Sequence, residues 1–97
     1  MKEKVTDWLK VAETDINVAE ILINHEHLAP SIAFHCQQAI EKSLKAILEE
    51  NDAEVPKIHR LITLFELMPD GMPTKNEIHE IVKASKSIFL DVRKSLT

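Results

Sequence analysis

Glycine, cysteine and tyrosine are nearly absent from this 97-residue chain, which has one glycine, one cysteine and no tyrosine. The single Cys36 cannot form a disulfide within the chain, which favours a reducing compartment. The scarcity of glycine and aromatic residues argues against a turn-rich β protein. No apolar run reaches membrane-spanning length, and the N-terminal residues lack a signal-peptide pattern. We therefore expect a cytoplasmic helical protein with no membrane association.

An excess of basic residues is also missing, since 12 Lys and Arg stand against 16 Asp and Glu, for a net charge of -4. Nonspecific nucleic-acid binders normally have an overall basic field, so this class is not favoured, although a local basic face leaves nucleic-acid binding open. The length fits one domain, and we predict a single domain over residues 1–97.

Apolar residues at three-four spacing predict helices along most of the chain. The predicted helices are Lys4–Asn24, Pro30–Glu50, Ile58–Met68 and a last helix that runs to the C-terminus. Thr74 and Glu77 have the spacing of a capping box at the start of this last helix, after a Pro- and Gly-containing break. The pattern predicts an all-α, up-and-down antiparallel bundle of about four helices.

The second predicted helix has two different faces. One face is the expected core stripe: Ala33, Cys36, Ile40, Leu44 and Ile47. The opposite face carries polar and basic side chains that suit contact with an anion: His35, Gln38, Lys42 and Lys45. Ala39 and Ala46 are predicted beside this second face, where their small side chains allow another helix to approach closely.

Three motifs, in this order along the chain, resemble the HEPN family (higher eukaryotes and prokaryotes nucleotide-binding). Residues 8–22 resemble its first helix, residues 34–46 (Phe-His-x-Gln-Gln-Ala-x-Glu-Lys-x-Leu-Lys-Ala) its second, and residues 59–64 (His-Arg-Leu-x-x-Leu) the start of its third. The resemblance implies a helical domain that binds a nucleotide. It also implies a minimal nucleotidyltransferase partner, in a toxin–antitoxin pair or a substrate-binding role.

The Arg-x4-6-His motif of the family members that cut RNA is absent. Arg60 and Arg93 are the two arginines, and neither is followed by a histidine at that spacing. RNA cleavage needs an imidazole to move a proton and a cation to stabilise the phosphorane, so we predict no catalytic residue. The favoured function is a non-catalytic HEPN-type binding module. A metal-independent HEPN ribonuclease with a rebuilt active site and a purely structural helical oligomer remain the alternatives.

Any bound nucleotide is predicted to contact the polar face of the second helix, and each candidate residue also has a structural interpretation. The predicted ligands are His35, Gln38, Lys42 and Lys45, with Asp15, Gln37 and His59 in support. A hydrogen-bonding histidine in a helix seam and two solvated lysines are the favoured structural interpretations. Asp15 either orients His35 or a lysine across the bundle or is a surface acid. His59 either adds to a basic spot or pins a turn, and the two glutamines bind a base edge or bridge helices.

No metal site and no cofactor are predicted. His25, His27 and Cys36 lack zinc-ligand spacing, and Cys36 falls on the core stripe, where a thiol is normally inert. A homodimer or a complex with a partner is expected, because the apolar stripes exceed what one small bundle covers. The predicted interface consists of Trp8, the Ala39 and Ala46 side of the second helix, and the stripe of the last helix.

Overall fold

A computed structural model describes residues 2–50 and 74–97 of the chain, and every regular element in these two ranges is helical. The elements are α1 (Glu3–Leu22), a short 3-10 helix (Glu26–Leu28), α2 (Ala29–Glu49) and α3 (Lys75–Leu96). The prediction of an all-α fold is confirmed over this part of the chain. The predicted helix Ile58–Met68 and the break before Thr74 lie outside the described residues.

α1 and α2 form an antiparallel pair. The chain reverses after α1 through a tight turn, in which the His25 amide donates to the Leu22 carbonyl at 2.8 Å. Pro30 lies in the first turn of α2, where its missing amide hydrogen costs no helical hydrogen bond. At the other end of the pair, Lys2 Nζ donates to the Glu49 carbonyl at 3.0 Å. The start of α1 therefore meets the end of α2.

The start of α3 is the capping box that the sequence predicts. The Glu77 amide donates to Thr74 Oγ1 at 3.1 Å, and the Thr74 amide donates to Glu77 Oε1 at 2.9 Å. Two otherwise free amides are thereby satisfied at the helix end. The hydrogen bond from the Thr74 amide, and then that from its hydroxyl, lower the pKa of the Glu77 carboxyl. The cap fixes where α3 begins.

Ion pairs at seven-residue spacing join α3 to α1, and their order shows that these two helices are antiparallel. Arg93 Nη1 donates to Glu13 Oε2 at 2.6 Å, and seven residues away Lys86 Nζ donates to Glu20 Oε2 at 2.9 Å. Lys75 faces Glu26, beyond the end of α1, at a longer 3.6 Å. Such exposed pairs add at most about 1 kcal/mol each to stability. Their contribution is the register of α3 along α1.

The core lies between the three helices and is almost wholly aliphatic. Cys36 is fully buried between α2 and α3, and this burial raises the pKa of its thiol to about 11, with the Asp15 charge adding to the increase and the Ser85 hydroxyl opposing it. Ser85 Oγ is itself buried, and it makes no hydrogen bond of regular geometry within the described residues. The predicted core position of Cys36 is confirmed. The largest buried side chains include Ile16, Ile32, Ile40, Val5 and Val92.

Ala39 and Ala46 lie inside the bundle, which corrects the prediction that they border an outward face. Both are 0% exposed, as are Ala12 and Ala19 of α1. These four small side chains form the alanine seam between α1 and α2, and they let the two helices approach closely. α1 therefore covers an edge of α2 that the residue spacing predicts to face outward. The predicted stripe of the last helix is buried within the chain as well, and Trp8 packs partly against the core. The small residues serve the contact between α1 and α2.

Candidate anion-binding site

The most specific polar arrangement in the described part of the chain is a carboxylate shared by two side chains of the neighbouring helix. Asp15 of α1 is 7% exposed. His35 Nδ1 of α2 lies 2.9 Å from Asp15 Oδ1, and Lys42 Nζ donates to Asp15 Oδ2 at 2.7 Å. We call these three residues the carboxylate cluster. Of the two interpretations of Asp15, the structure contains the contact across the bundle.

Helix geometry explains how two residues so far apart in sequence reach one carboxylate. His35 and Lys42 are seven residues apart, which places them on the same side of α2, about 10 Å apart along its axis. Asp15 lies opposite, on the side of α1 that faces α2, next to the alanine seam. The imidazole and the flexible lysine side chain then reach one carboxylate oxygen each. The spacing on α2 and the close approach of α1 are both needed.

The hydrogen bonds determine what the cluster presents to solvent. An ionised carboxylate can only accept, so His35 Nδ1 carries the proton in this contact and its Nε2 is the remaining ring nitrogen. The side chains of His35 and Lys42 are 29% and 20% exposed, so both can still be reached by a ligand. With a neutral imidazole the charges of Asp15 and Lys42 balance, and protonation of His35 makes the cluster cationic. The arrangement suits donation to a phosphate oxygen or transfer of a proton.

A second pair lies on the same side of the bundle, towards the start of α1. Lys45 Nζ lies 4.8 Å from the ring centroid of Trp8, which is a cation–π contact. Trp8 precedes Asp15 by seven residues, so the two lie on one side of α1 about 10 Å apart along its axis. Val11 stands between them and is 43% exposed. Basic side chains of α2 thus run beside a partly apolar stripe of α1.

The residues of the predicted site are therefore divided into two groups. His35 and Lys42 meet through Asp15, whereas Lys45 contacts Trp8. Gln38 is half-buried and lies between His35 and Lys42 along α2. Gln37 is exposed, and His59 lies outside the described residues. Sequence reasoning assigned Trp8 to an interface and missed its place beside Lys45. The signal was available as the seven-residue spacing from Trp8 to Asp15 in α1.

The described residues also form a cavity away from this site, and none of the predicted site residues lines it. It is an open groove of about 570 Å³ between α1 and α3, with the Glu20–Lys86 ion pair at its rim and Ile23 and Val82 in its wall. Its acidic and basic side chains are mixed, so it favours no ligand charge. Among residues 2–50 and 74–97, no group of three potential ligands is placed to hold a metal ion. No described helix has the length and apolar character needed to cross a membrane.

Comparison with known proteins identifies a family match. A family model described as HEPN domain matches residues 5–94, which covers α2 and all but the first two residues of α1 and the last two of α3. No curated protein and no solved structure matches the chain. The motif resemblance and the family match agree, and the matched range contains both Asp15 and the whole of α2.

Proposed function

We propose that this chain, which belongs to the HEPN domain family, is a non-catalytic binding module that holds a nucleotide on the outer face of α1 and α2. The family includes nucleotide-binding and ribonuclease types, so its membership alone leaves both classes open. The carboxylate cluster is the observation that carries the binding proposal. Asp15 holds Lys42 and His35 in place before any ligand arrives, which reduces the entropy cost of binding.

A nucleotide titration tests the proposal directly. We expect the Lys42→Ala, Lys45→Ala double variant to bind ATP, monitored by calorimetry, at least about tenfold more weakly than the parent, because two phosphate-facing charges are lost. Affinity of the parent should also fall as salt concentration rises, since exposed charges are screened.

The matched control is the Lys83→Ala, Lys94→Ala double variant, which removes two exposed lysines from α3. It changes the net charge by the same amount and should bind ATP as the parent does. Equal affinity of the two double variants would reject the α1–α2 face as the site. Absence of binding by ATP, ADP, GTP and UTP to the parent would reject the nucleotide proposal itself.

A ribonuclease remains the second candidate, because one specific contact favours it. The hydrogen bond from His35 Nδ1 to Asp15 orients an imidazole beside a lysine, which is an arrangement suited to general acid–base chemistry. The family's Arg-x4-6-His motif is nevertheless missing from the sequence. We therefore expect no cleavage of RNA above background in a metal-free buffer, monitored by gel electrophoresis. Cleavage that disappears in a His35→Ala variant would instead place a rebuilt active site at the cluster.

A partner is part of the proposal. We expect a minimal nucleotidyltransferase, encoded next to this chain, to associate with it in a toxin–antitoxin or substrate-binding complex, and the chain alone to form a homodimer. Several large apolar side chains are exposed on the described surface, namely Val11, Ile21, Phe34, Leu48 and Leu90. Sedimentation equilibrium tests the dimer. One species at 11.1 kDa at every micromolar concentration would show that the chain is a monomer.

A further inference from the structure

The Trp8–Lys45 contact joins a half-buried aromatic ring to an exposed lysine. Trp8 packs partly against the core, while Lys45 is exposed. The ammonium group lies over the ring, 4.8 Å from its centroid. Removing the ammonium from this position would expose an aromatic face next to Val11, which is 43% exposed. The Trp8 ring thus contacts both the core and the ammonium group of an exposed lysine.

The balance of forces favours replacement of this ammonium by a planar ligand. A cation–π contact at an exposed site is weak, because water competes for the ammonium. Stacking of a nucleobase on an aromatic side chain is stronger, and it also removes more apolar surface from water. An ammonium displaced from the ring makes a favourable charged hydrogen bond instead if it moves to a phosphate. Lys45 is one helical turn from Lys42, so a ligand phosphate near the cluster is within its range.

We infer that Trp8 is the stacking platform for the base, and that Lys45 leaves the ring for the phosphate chain when the ligand binds. The inference rests on the proposed nucleotide binding and adds the ligand's orientation and class. The base lies over Trp8 and Val11, and the terminal phosphate contacts Lys42 and His35 of the carboxylate cluster. Lys45 acts as a placeholder that protects the ring in the free protein.

The separation of the two groups selects the length of the ligand. Trp8 and Asp15 are about 10 Å apart along α1. A nucleoside monophosphate has its single phosphate next to the ribose, so with its base on Trp8 we expect this phosphate to fall short of the cluster. A chain of two or three phosphates extends far enough. The structure therefore favours a nucleoside di- or triphosphate over a monophosphate, without selecting the base.

Trp8 is the only tryptophan in the chain, so its fluorescence reports on this position alone. ATP, ADP, AMP and inorganic triphosphate are titrated into the full chain, and each titration is repeated by calorimetry. We expect ATP and ADP to quench Trp8 with the same midpoint as the heat signal. AMP should bind about tenfold more weakly, because its phosphate misses the charged hydrogen bonds of the cluster. Inorganic triphosphate should bind without the quenching caused by stacking.

A Lys45→Met variant tests whether Lys45 contacts the phosphate chain while Trp8 alone carries the stacking. It should keep the ATP-dependent quenching and lose about tenfold in affinity, as expected for one lost charged contact. A Lys83→Met variant, on α3, is the control and should behave as the parent. Calorimetric binding of ATP without quenching, or equal affinity for AMP and ATP, would overturn the inference and leave nucleotide binding standing. Quenching by a short single-stranded RNA but not by ATP would overturn it in favour of an RNA ligand. Binding of no nucleotide in either measurement would overturn the proposed function and this inference together.

Discussion

Replacing Asp15 with asparagine is expected to lower the free energy of unfolding by about 2 kcal/mol, because Lys42 and His35 lose their shared acceptor. Breaking a fully buried ion pair costs about 3–5 kcal/mol. Here both partners are partly exposed, with side-chain exposures of 20% and 29%, so water compensates part of the loss. Asparagine keeps the size of the side chain, which separates the loss of charge from the creation of a cavity.

Urea unfolding monitored by circular dichroism measures this change in the free energy of unfolding. In a thermal melt, the melting temperature should fall by about 10 °C for a chain of this length. Asp7→Asn is the matched control, since it removes an exposed carboxylate from the same helix. It should change stability by less than about 0.5 kcal/mol. Equal effects of the two substitutions would mean that the hydrogen bonds of Asp15 add nothing to the fold.

Replacing Ala39 with leucine is expected to destabilise the fold by about 2–3 kcal/mol, because the larger side chain must enter a filled seam between α1 and α2. Ala39 is 0% exposed and lies in one buried cluster with Ala12 and Ile16 of α1. Overpacking here pushes the two helices apart and weakens the contact of Asp15 with α2 as well. Urea unfolding again gives the magnitude.

The control for this substitution is Gln37→Leu, which adds a similar apolar side chain at an exposed position of the same helix. It should change the unfolding free energy by less than about 0.5 kcal/mol. The two competing roles of Ala39 predict different results. An Ala39→Leu variant that unfolds like the parent but sediments as a smaller species would restore the predicted interface role of Ala39.

Local signals in the sequence predict the helix types and ends well. α1 and α2 begin and end within two residues of their predicted bounds, since apolar periodicity and Pro30 mark them. The Thr74 and Glu77 pattern correctly places the start of α3, because a capping box involves only neighbours in sequence. The burial of Cys36 follows from the same periodicity.

Contacts between helices are harder to predict from the sequence, because a helical wheel gives the faces of one helix but not the neighbours that cover them. Ala39 and Lys42 are adjacent on that wheel, yet the first is fully buried and the second lies at the edge. The difference comes from where α1 crosses α2, which depends on packing of the alanine seam. For the same reason, the separation of Lys45 from the carboxylate cluster could not be predicted from α2 alone.

The two edges of α1 respond differently to ionic strength. Along α2 the contact includes alanines, larger aliphatic side chains and a largely buried carboxylate, which mobile ions screen poorly. Along α3 the apolar contacts are supplemented by exposed pairs such as Glu13–Arg93 and Glu20–Lys86, which salt screens well. Concentrated salt is therefore expected to weaken the polar contacts between α1 and α3 more than those between α1 and α2. The proposed nucleotide-binding surface lies on the α1–α2 side, where the polar contacts are the less screened ones.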